Sequence, residues 1–590
     1  MRLQPATLIG TETLHLLRLR KVSEAAPLPS LSASVSLPPS VGHWDAAALR
    51  ALLRSNFRHD QLIVVSNREP YVHERADGVL RVTQPAGGLV TALEPLLRAS
   101  GGTWIAHGSG NADRETVDAR DGLWAPPPAW AQCGGGAHAA IAAKAAKAGD
   151  GSYRLRRVWL SPRELHGYCD SFANSGLWPL CHTAQVQALF EVADWASYCA
   201  INQRFADAVV AEARRDDPIV LVQDYHLALV PALVRRQLPQ ATIASFWHIP
   251  WAPPQRMAGC PWLAEILDGL LGSDVVGFQT PQHRRDFIAS VNATLSGARA
   301  DGSGAADRTA HPHPHVHWRG RRTLVNDCPI SIAWPASASA SASTAFDASA
   351  LPVAPSVTTC RRAAFARWDL AADGKLVVGV DRFDYTKGLL ERVRAVEQLL
   401  LTWPHWQGRL RFVQVAAPTR SNLPHYARFR AQVVGEVARI NACFAGAGAA
   451  PIVLIEQAQD RAAVDALYRA ADVCLVTSLH DGMNLVSKEF VAARDDGCGV
   501  LVLSQFAGAA HELTDALIVN PYNIAQVAQA INFGLSMPEH QQRQRMAALR
   551  HTVRNANVHR WAARVLLDAD RSRAVRAVSS AGAAHLAQRA

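Results

Sequence analysis

An α/β protein of two domains, each built on an open parallel sheet, is predicted by three observations. Short apolar runs recur along both halves of the chain, and each leads into a polar or glycine-bearing turn followed by residues at helical spacing. An Ala/Ser tract at residues 336–350 separates the halves with the composition of a flexible linker. At 590 residues and 63.7 kDa there is chain enough for two large domains and tails.

In the first half, the run Leu62-Ile63-Val64-Val65 is a strand ending in the tight turn Ser66-Asn67-Arg68. Pro85-Ala86-Gly87-Gly88 then opens a helix, and its glycines let a ligand approach the backbone closely. Residues 153–160 form another strand, followed by Phe172-Ala173-Asn174-Ser175-Gly176-Leu177-Trp178-Pro179. Residues 219–222 end in Gln223-Asp224-Tyr225-His226, residues 243–247 end in His248-Ile249-Pro250, and residues 274–280 add one more strand and turn.

In the second half, residues 375–380 run into Asp381-Arg382-Phe383-Asp384-Tyr385-Thr386-Lys387-Gly388. Arg382 and Lys387 put two cations on one loop before a helix, where a departing diphosphate needs fixed positive charge. Strands at 411–416 and 451–455 follow, the first leading to Arg420. The apolar run 473–476 then enters Thr477-Ser478-Leu479-His480-Asp481-Gly482-Met483-Asn484-Leu485-Val486-Ser487-Lys488-Glu489-Phe490, read as strand, loop and helix N-terminus. Free N–H groups of Asn484, Leu485 and Val486 at that helix start favour an anion. Asp481 and Glu489 bracket it as acceptors for hydroxyls, so a phosphate flanked by sugars satisfies the pattern. Strands at 499–504 and 517–520 complete the half.

Composition narrows the function classes. Charges interrupt every apolar run before the roughly 18–20 residues a membrane span needs, so a soluble protein off the membrane is expected. The net charge of +10 comes from arginines spread among acids rather than a basic block with aromatics, which argues against nucleic acid and suits phosphorylated substrates. Ten cysteines without CxxC spacing read as buried thiols of a reducing, cytoplasmic compartment. HPHPHVH, ending at His317, has no acid or cysteine to complete a metal site and reads as a loop insertion. The first twenty residues lack a compact apolar core followed by a cleavage site, so no targeting peptide is assigned.

These motifs resemble the trehalose-6-phosphate synthase family of retaining glycosyltransferases, over about residues 61–573. DGMNLVSKEF and the RxDYxKG pattern of 382–388 carry most of the likeness, joined by SNR, LWP, DYH and HIP. The resemblance implies the GT-B fold: two Rossmann-like domains facing across a cleft, with a C-terminal helix crossing back. The implied boundaries are an N-terminal extension, disordered or loosely attached, at 1–58; an acceptor domain at 59–335 with insertions near 131–151 and 296–317; a linker at 336–372; a nucleotide-sugar domain at 373–535; a crossing helix at 536–573; and a frayed tail at 574–590.

The implied reaction moves glucose from a nucleotide-glucose, UDP-glucose first, to glucose 6-phosphate by front-face attack with retention. Arg382 and Lys387 neutralise the diphosphate, Asp481 holds the transferred sugar, His248 lies near it, and Asp224 lies near the attacking hydroxyl. Gly88, the backbone from Met483 through Asn484, Leu485 and Val486, and Glu489 bind the donor; Arg68, Trp178 and Arg420 bind the acceptor. The nucleotide-sugar is a co-substrate, with neither cofactor nor metal required. With no DxDxT motif in the chain, a separate phosphatase is expected to act on the product; homo-oligomer formation stays open.

Two positions depart from the family. A gap-free alignment puts Cys169 where a tyrosine hydroxyl usually meets the acceptor phosphate, with Tyr168 one residue off, and His480 stands where many members carry arginine. Losing a hydrogen bond to a charged group costs roughly 1.5–3 kcal/mol. Either Tyr168 substitutes, or the acceptor differs: glycerol 3-phosphate, a cyclitol phosphate, a pseudo-glycosyltransferase reaction joining two cyclitols, or no turnover at all in a sugar-phosphate sensor. Residues 456–459 do not name the nucleobase.

Overall fold

Hydrophobic strands buried on both faces dictate parallel sheets sandwiched by helices, and the computed structural model of the protein, which describes residues 44–57, 60–85, 88–126, 151–301, 314–335 and 355–587, contains two of them. The first half supplies β1 (Leu62–Val65), β2 (Val72–Ala76), β3 (Val79–Thr83), β4 (Thr103–His107), β5 (Gly122–Ala125), β6 (Tyr153–Val158), β7 (Ile219–Gln223), β8 (Thr242–Phe246), β9 (Val275–Phe278), β10 (Arg299–Ala300), β11 (His315–Trp318) and β12 (Arg321–Asp327). The second half supplies β13 (Lys375–Arg382), β14 (Leu410–Ala417), β15 (Ile452–Ile455), β16 (Val473–Val476), β17 (Val500–Ser504) and β18 (Leu517–Val519).

The first sheet has ten strands in the order β10-β11-β12-β9-β8-β7-β1-β4-β6-β5, parallel from β12 to β6 with antiparallel edges. The second has six parallel strands in the order β15-β14-β13-β16-β17-β18. In each, the order reverses between two central strands: β1 and β7 in the first, β13 and β16 in the second. Open α/β sheets bind ligands in the crevice at the carboxyl ends of such a pair. Arg68 and Asp224 follow the first pair, and Lys387 and Asp481 follow the second.

Several expected boundaries are corrected. Residues 44–57 are no loose extension, because Asp45 caps the helix Ala46–Asn56 and Leu49, Leu52 and Leu53 are buried in the core. Residues 355–372 are not linker either: the helix Val357–Arg367 buries Cys360 and Ala364, and Arg361 donates to Asp472 at 3.0 Å. Apolar residues at helical spacing outweigh the Ser/Pro-rich flanks in both places. Residues 315–317, expected in a loop insertion, lie in β11, where His317 meets Asp301 at 3.0 Å. The expectations for 1–43, 127–150, 302–313 and 336–354 lie outside the described residues.

The crossing element is two helices, Glu539–Asn555 and Val558–Ala587, and the second continues through the expected tail. It packs on the first sheet: Trp561 meets Phe246 edge-on at 5.3 Å, Asn326 donates to Asp568 at 2.6 Å, and Arg573 meets Asp60 at 2.9 Å. Among the described residues no helix is long and apolar enough to cross a membrane, and no cluster of three His, Cys, Asp or Glu could hold a metal ion.

Buried Asp274 is the junction between this helix and the first domain. It accepts from Arg235 at 2.6 Å, the Ile243 N–H at 2.8 Å and Arg576 at 2.6 Å. Asp274→Asn leaves the buried Arg235 guanidinium without its counter-charge, which costs about 3–5 kcal/mol. A lower urea midpoint for the first domain, with faster proteolysis near residue 576, is the expected result.

Candidate functional site

The two switch points face each other, and the site divides into a carboxylate–lysine centre and an arginine-rich end. At the first, Lys387 Nζ lies 2.6 Å from Asp481 Oδ2, which also accepts from Ser478 Oγ and the Asn484 amide, both at 3.1 Å. Burial works against a charge on Asp481, but Lys387, the nearby His182 ring and the Asn484 amide outweigh it and hold the carboxyl below its usual range. An ammonium has three donors, so the lysine keeps capacity beyond Asp481.

Close packing sets this pair. Gly388 has φ +66°, and a Cβ there would stand 2.1 Å from the Thr477 carbonyl oxygen; at Gly482 it would stand 2.2 Å from that of His248. Only glycine permits both approaches, one joining the lysine loop to the Asp481 loop and the other joining that loop to the first domain. Arg392 fixes the base of the same region, binding Asp381 at 2.8 Å, Thr477 Oγ1 at 2.9 Å and Gln414 at 2.8 Å. Asp381 is thereby a structural partner of Arg392.

The helix that follows Asp481 runs Leu485–Ala493, after Asn484 at φ +79°. The Asn484 side chain accepts from the Ser487 N–H at 3.1 Å, and among the described residues the Leu485 and Val486 N–H groups have no protein acceptor. They remain available to an anion. Met483 is buried, its carbonyl accepting from the Ala509 N–H at 2.8 Å. Gly88 packs against the Leu485 side chain from across the cleft. Glu489 is largely enclosed, and burial, partly offset by Arg461, pushes its carboxyl up to about 7.

Arg68, Arg382 and Arg420 come from the ends of β1, β13 and β14 and lie within electrostatic reach of one another. Arg68 and Arg382 form no ion pair among the described residues. Arg68 keeps accessible surface because it lines an open cleft, yet protein crowds it on most sides. That enclosure, with Arg382 and Arg420, pulls its guanidinium down to about 10. Three crowded cations lacking full compensation form an anion site.

Arg420 is the anchored member: it donates to Tyr225 Oη at 3.1 Å and to Tyr426, faces Asp384 at 3.6 Å, and lies 4.1 Å from the Trp178 ring centroid. Arg68 is placed from below, since adjacent Glu69 takes Arg157 at 2.9 Å and the Ser109 N–H at 2.7 Å.

Asp224 accepts from the His248 N–H at 3.2 Å, and burial raises its carboxyl to about 6 despite Arg68 and Arg420. The His248 ring donates through Nε2 to Gln223 at 2.8 Å; burial takes its pKa down to about 3, leaving a neutral ring with Nδ1 as acceptor. Tyr168 does not replace the missing hydroxyl. It is buried, its hydroxyl donating to Asn67 Oδ1 at 3.2 Å, while Cys169 Sγ takes the Asn67 and Asn174 amides at 3.7 and 3.4 Å and faces Arg68 and Arg420.

Contacts and electrostatic interactions connect these candidates across the two switch points, apart from Glu489, whose partners Arg461, Tyr468 and Asp465 belong to the second domain. Tyr225, Asn174, Tyr426 and His182 were missed as site members. Tyr225 and Asn174 lay inside quoted motifs without a chemistry of their own, and Tyr426 carries no motif. Asp224, Arg420 and Asn484 all have positive φ (74°, 48° and 79°), strain of about 1–3 kcal/mol each that such sites retain.

The sequence model described as Glycosyltransferase family 20 matches residues 60–571. The chain is 36% identical over 516 residues to a trehalose-6-phosphate synthase of Mycobacterium avium, covering 87% of this chain and 96% of the relative. It is 36% identical over 512 residues to a bifunctional trehalose-6-phosphate synthase/phosphatase of Thermoproteus tenax, covering 85% of this chain but 62% of that longer protein. The crystal structure of a UDP-forming α,α-trehalose-phosphate synthase from Burkholderia xenovorans in complex with glucose-6-phosphate superposes with a TM-score of 0.69 at 30% identity, over 86% of this chain and 100% of the other.

The raised Glu489 carboxyl has a consequence for stability. A carboxyl that holds its proton to about pH 7 in the folded chain, but only to about 4.5 unfolded, loses stability as pH rises through that window. The loss is at most about 3 kcal/mol. Glu489→Gln should match the parent in thermal unfolding at pH 4.5 and exceed it at pH 8.

Proposed function

The chain belongs to glycosyltransferase family 20, and from that premise we propose that it forms α,α-trehalose 6-phosphate from a nucleotide-glucose, UDP-glucose first, and glucose 6-phosphate with retention. The observation that carries this reading is the pairing of two anion centres in one cleft. The arginine cluster, with Arg420 beside Trp178 and Arg68 and Arg382 without ion pairs among the described residues, suits a sugar phosphate, and the Lys387–Asp481 centre beside a helix N-terminus suits a nucleotide-sugar diphosphate. One site with both features accounts for a donor and an acceptor that each carry phosphate.

In this reading Arg68 and Arg420 hold the acceptor phosphate, and Trp178 packs on the acceptor sugar. Asp224 orients the attacking hydroxyl, and its elevated pKa places it near the point of accepting a hydrogen bond strongly at neutral pH. Arg382 and Lys387 take the negative charge that grows on the diphosphate as the anomeric carbon–oxygen bond breaks. The N–H groups of Leu485 and Val486 share that load, with Met483 and Gly88 shaping the adjoining wall.

The acceptor oxygen bonds the anomeric carbon on the face the phosphate leaves, and the departing phosphate oxygen takes the acceptor's proton. Asp481 accepts from hydroxyls of the transferred sugar, neutral His248 offers Nδ1 to another, and Glu489 binds the ribose. Closure of the cleft limits hydrolysis by excluding water. The product keeps the acceptor's phosphate, so a phosphatase is the enzyme class that takes it onward. The described cysteines are all free thiols, which suits a reducing compartment such as the cytoplasm.

Cys169 favours a second reading, with another phosphorylated acceptor such as glycerol 3-phosphate or a cyclitol phosphate. Its thiol occupies the pocket wall between Arg68 and Arg420, and Tyr168 is committed to Asn67.

Mass spectrometry of the purified protein with UDP-, ADP- and GDP-glucose against glucose 6-phosphate and glycerol 3-phosphate separates the readings: a disaccharide phosphate is expected from glucose 6-phosphate, and a product from glycerol 3-phosphate alone would favour the second. Lys387→Ala should lower turnover by about a thousandfold or more at a temperature where the variant is folded, of the order that removing a transition-state charge partner produces, and should also lower the thermal midpoint because Asp481 loses its counter-charge. An unchanged rate would remove the diphosphate assignment.

A further inference from the structure

His480 sits where the Asp481 loop of the second domain meets the first domain. Its Nδ1 lies 3.0 Å from the His182 carbonyl oxygen and 3.2 Å from Thr183 Oγ1. A carbonyl only accepts, so Nδ1 carries the proton and donates across the cleft. His182 spends its own Nδ1–H on the Trp178 carbonyl at 2.8 Å, and its ring lies 4.1 Å from the Trp178 ring at an interplanar angle of 31°. Arg420 lies 4.1 Å from that same tryptophan.

A continuous series of contacts thus runs from Asp481 through His480, His182 and Trp178 to Arg420, crossing the cleft at the His480–His182 hydrogen bond. Thr183, the second acceptor of His480, has φ +47°, a conformation that a β-branched residue adopts only where its surroundings over-determine it. The other groups facing His480 are the His182 ring at 6.2 Å and the His283 ring at 6.4 Å, together with adjacent Asp481. Burial brings both neighbouring histidines down to about 3, so neither carries charge against His480 near neutrality.

We propose that His480 is a positioning residue that couples the two halves of the site, its hydrogen bond to the His182 carbonyl making donor and acceptor binding mutually dependent. The inference rests on the reading above, in which Asp481 serves the donor and Trp178 and Arg420 the acceptor. An acceptor that fixes Trp178 fixes the Trp178–His182 unit, and through His480 the carboxylate next to it. Such coupling is reciprocal: whatever factor the donor side adds to acceptor affinity, the acceptor side adds to donor affinity.

Calorimetry on the full chain tests this with glucose 6-phosphate and with UDP, whose diphosphate engages Lys387, the ion-pair partner of Asp481, as probes. UDP at saturation is expected to tighten glucose 6-phosphate binding by about fivefold or more in the parent protein, within the usual range of coupling. In His480→Ala the factor should fall to about one, while each ligand alone binds within about threefold of the parent. His480→Asn, whose amide N–H can reach the position of Nδ1, should restore the coupling; His480→Gln, which extends its amide toward the position of Nε2, should not. The Asn and Gln variants both preserve bulk and polarity, so their contrast reads the hydrogen bond even if the alanine variant folds poorly.

Coupling that persists in the alanine variant, equal behaviour of the Asn and Gln variants, or independent binding of the two ligands to the parent would each overturn the proposal. Failure of the parent to bind either ligand removes the functional reading instead, and the inference with it.

Discussion

Mutual repulsion among three guanidinium groups at one end of the cleft is the constraint around which the site is arranged. Arg68, Arg382 and Arg420 converge from the ends of three strands in two sheets, and a low-dielectric cleft makes their repulsion far larger than it would be in water. The protein compensates one of them. Arg420 has the hydroxyls of Tyr225 and Tyr426, the Asp384 carboxylate and the face of Trp178. Asp384 stays ionised for the same reason: burial opposes its charge, but Arg420, Arg382 and Lys387 outweigh burial. Arg68 and Arg382 have no ion-pair partner among the described residues, whereas Arg420 is oriented by its partners before any ligand arrives, as an acceptor-phosphate ligand in the proposed reading requires.

The scaffold that sustains the crowding is itself made of buried charges. Arg157 ties Glu69 to Asp113 beneath Arg68, Arg392 ties Asp381 to Thr477 and Gln414 beneath Lys387, and Lys488 joins Glu512 at 2.6 Å to the Ile330 carbonyl of the first domain at 2.9 Å. Each would be costly if half-made and is well satisfied here. Each also fixes the base of a loop whose tip carries a candidate functional group. Geometry at the tips is thereby inherited from a rigid interior, which lets Asp224, Arg420 and Asn484 hold strained backbones.

Most of the fold was legible in the sequence because its signals are local. Buried parallel strands read as short apolar runs, and β1, β13 and β16 fall within two residues of where such runs place them. The errors fall where composition and periodicity disagree. Around residues 46–56 and 357–367, Ser- and Pro-rich flanks suggested loose chain, yet leucines or small apolar residues at helical spacing found a surface to cover. Whether such a helix docks depends on a partner far away in sequence, as the bond from Asn557 to the Trp44 carbonyl at 2.6 Å illustrates. No window of sequence contains that information.

The candidate site divides the same way. By itself the sequence determined which chemical groups stand at strand ends, since a strand, a turn and a helix N-terminus are encoded within about a dozen adjacent residues. Lys387, Asp481 and the N–H groups of Leu485 and Val486 were readable for that reason, and so was membership of a recognisable motif family. Tertiary structure alone decided which groups meet: that Lys387 faces Asp481, that Tyr426 and Tyr225 share Arg420, that Cys169 rather than Tyr168 faces the arginines, and that His480 reaches the His182 carbonyl. Apart from Tyr426, six residues beyond Arg420, those partners are tens to hundreds of residues apart, brought together by packing of two sheets whose side-chain identities fix the contact only after the chain has folded.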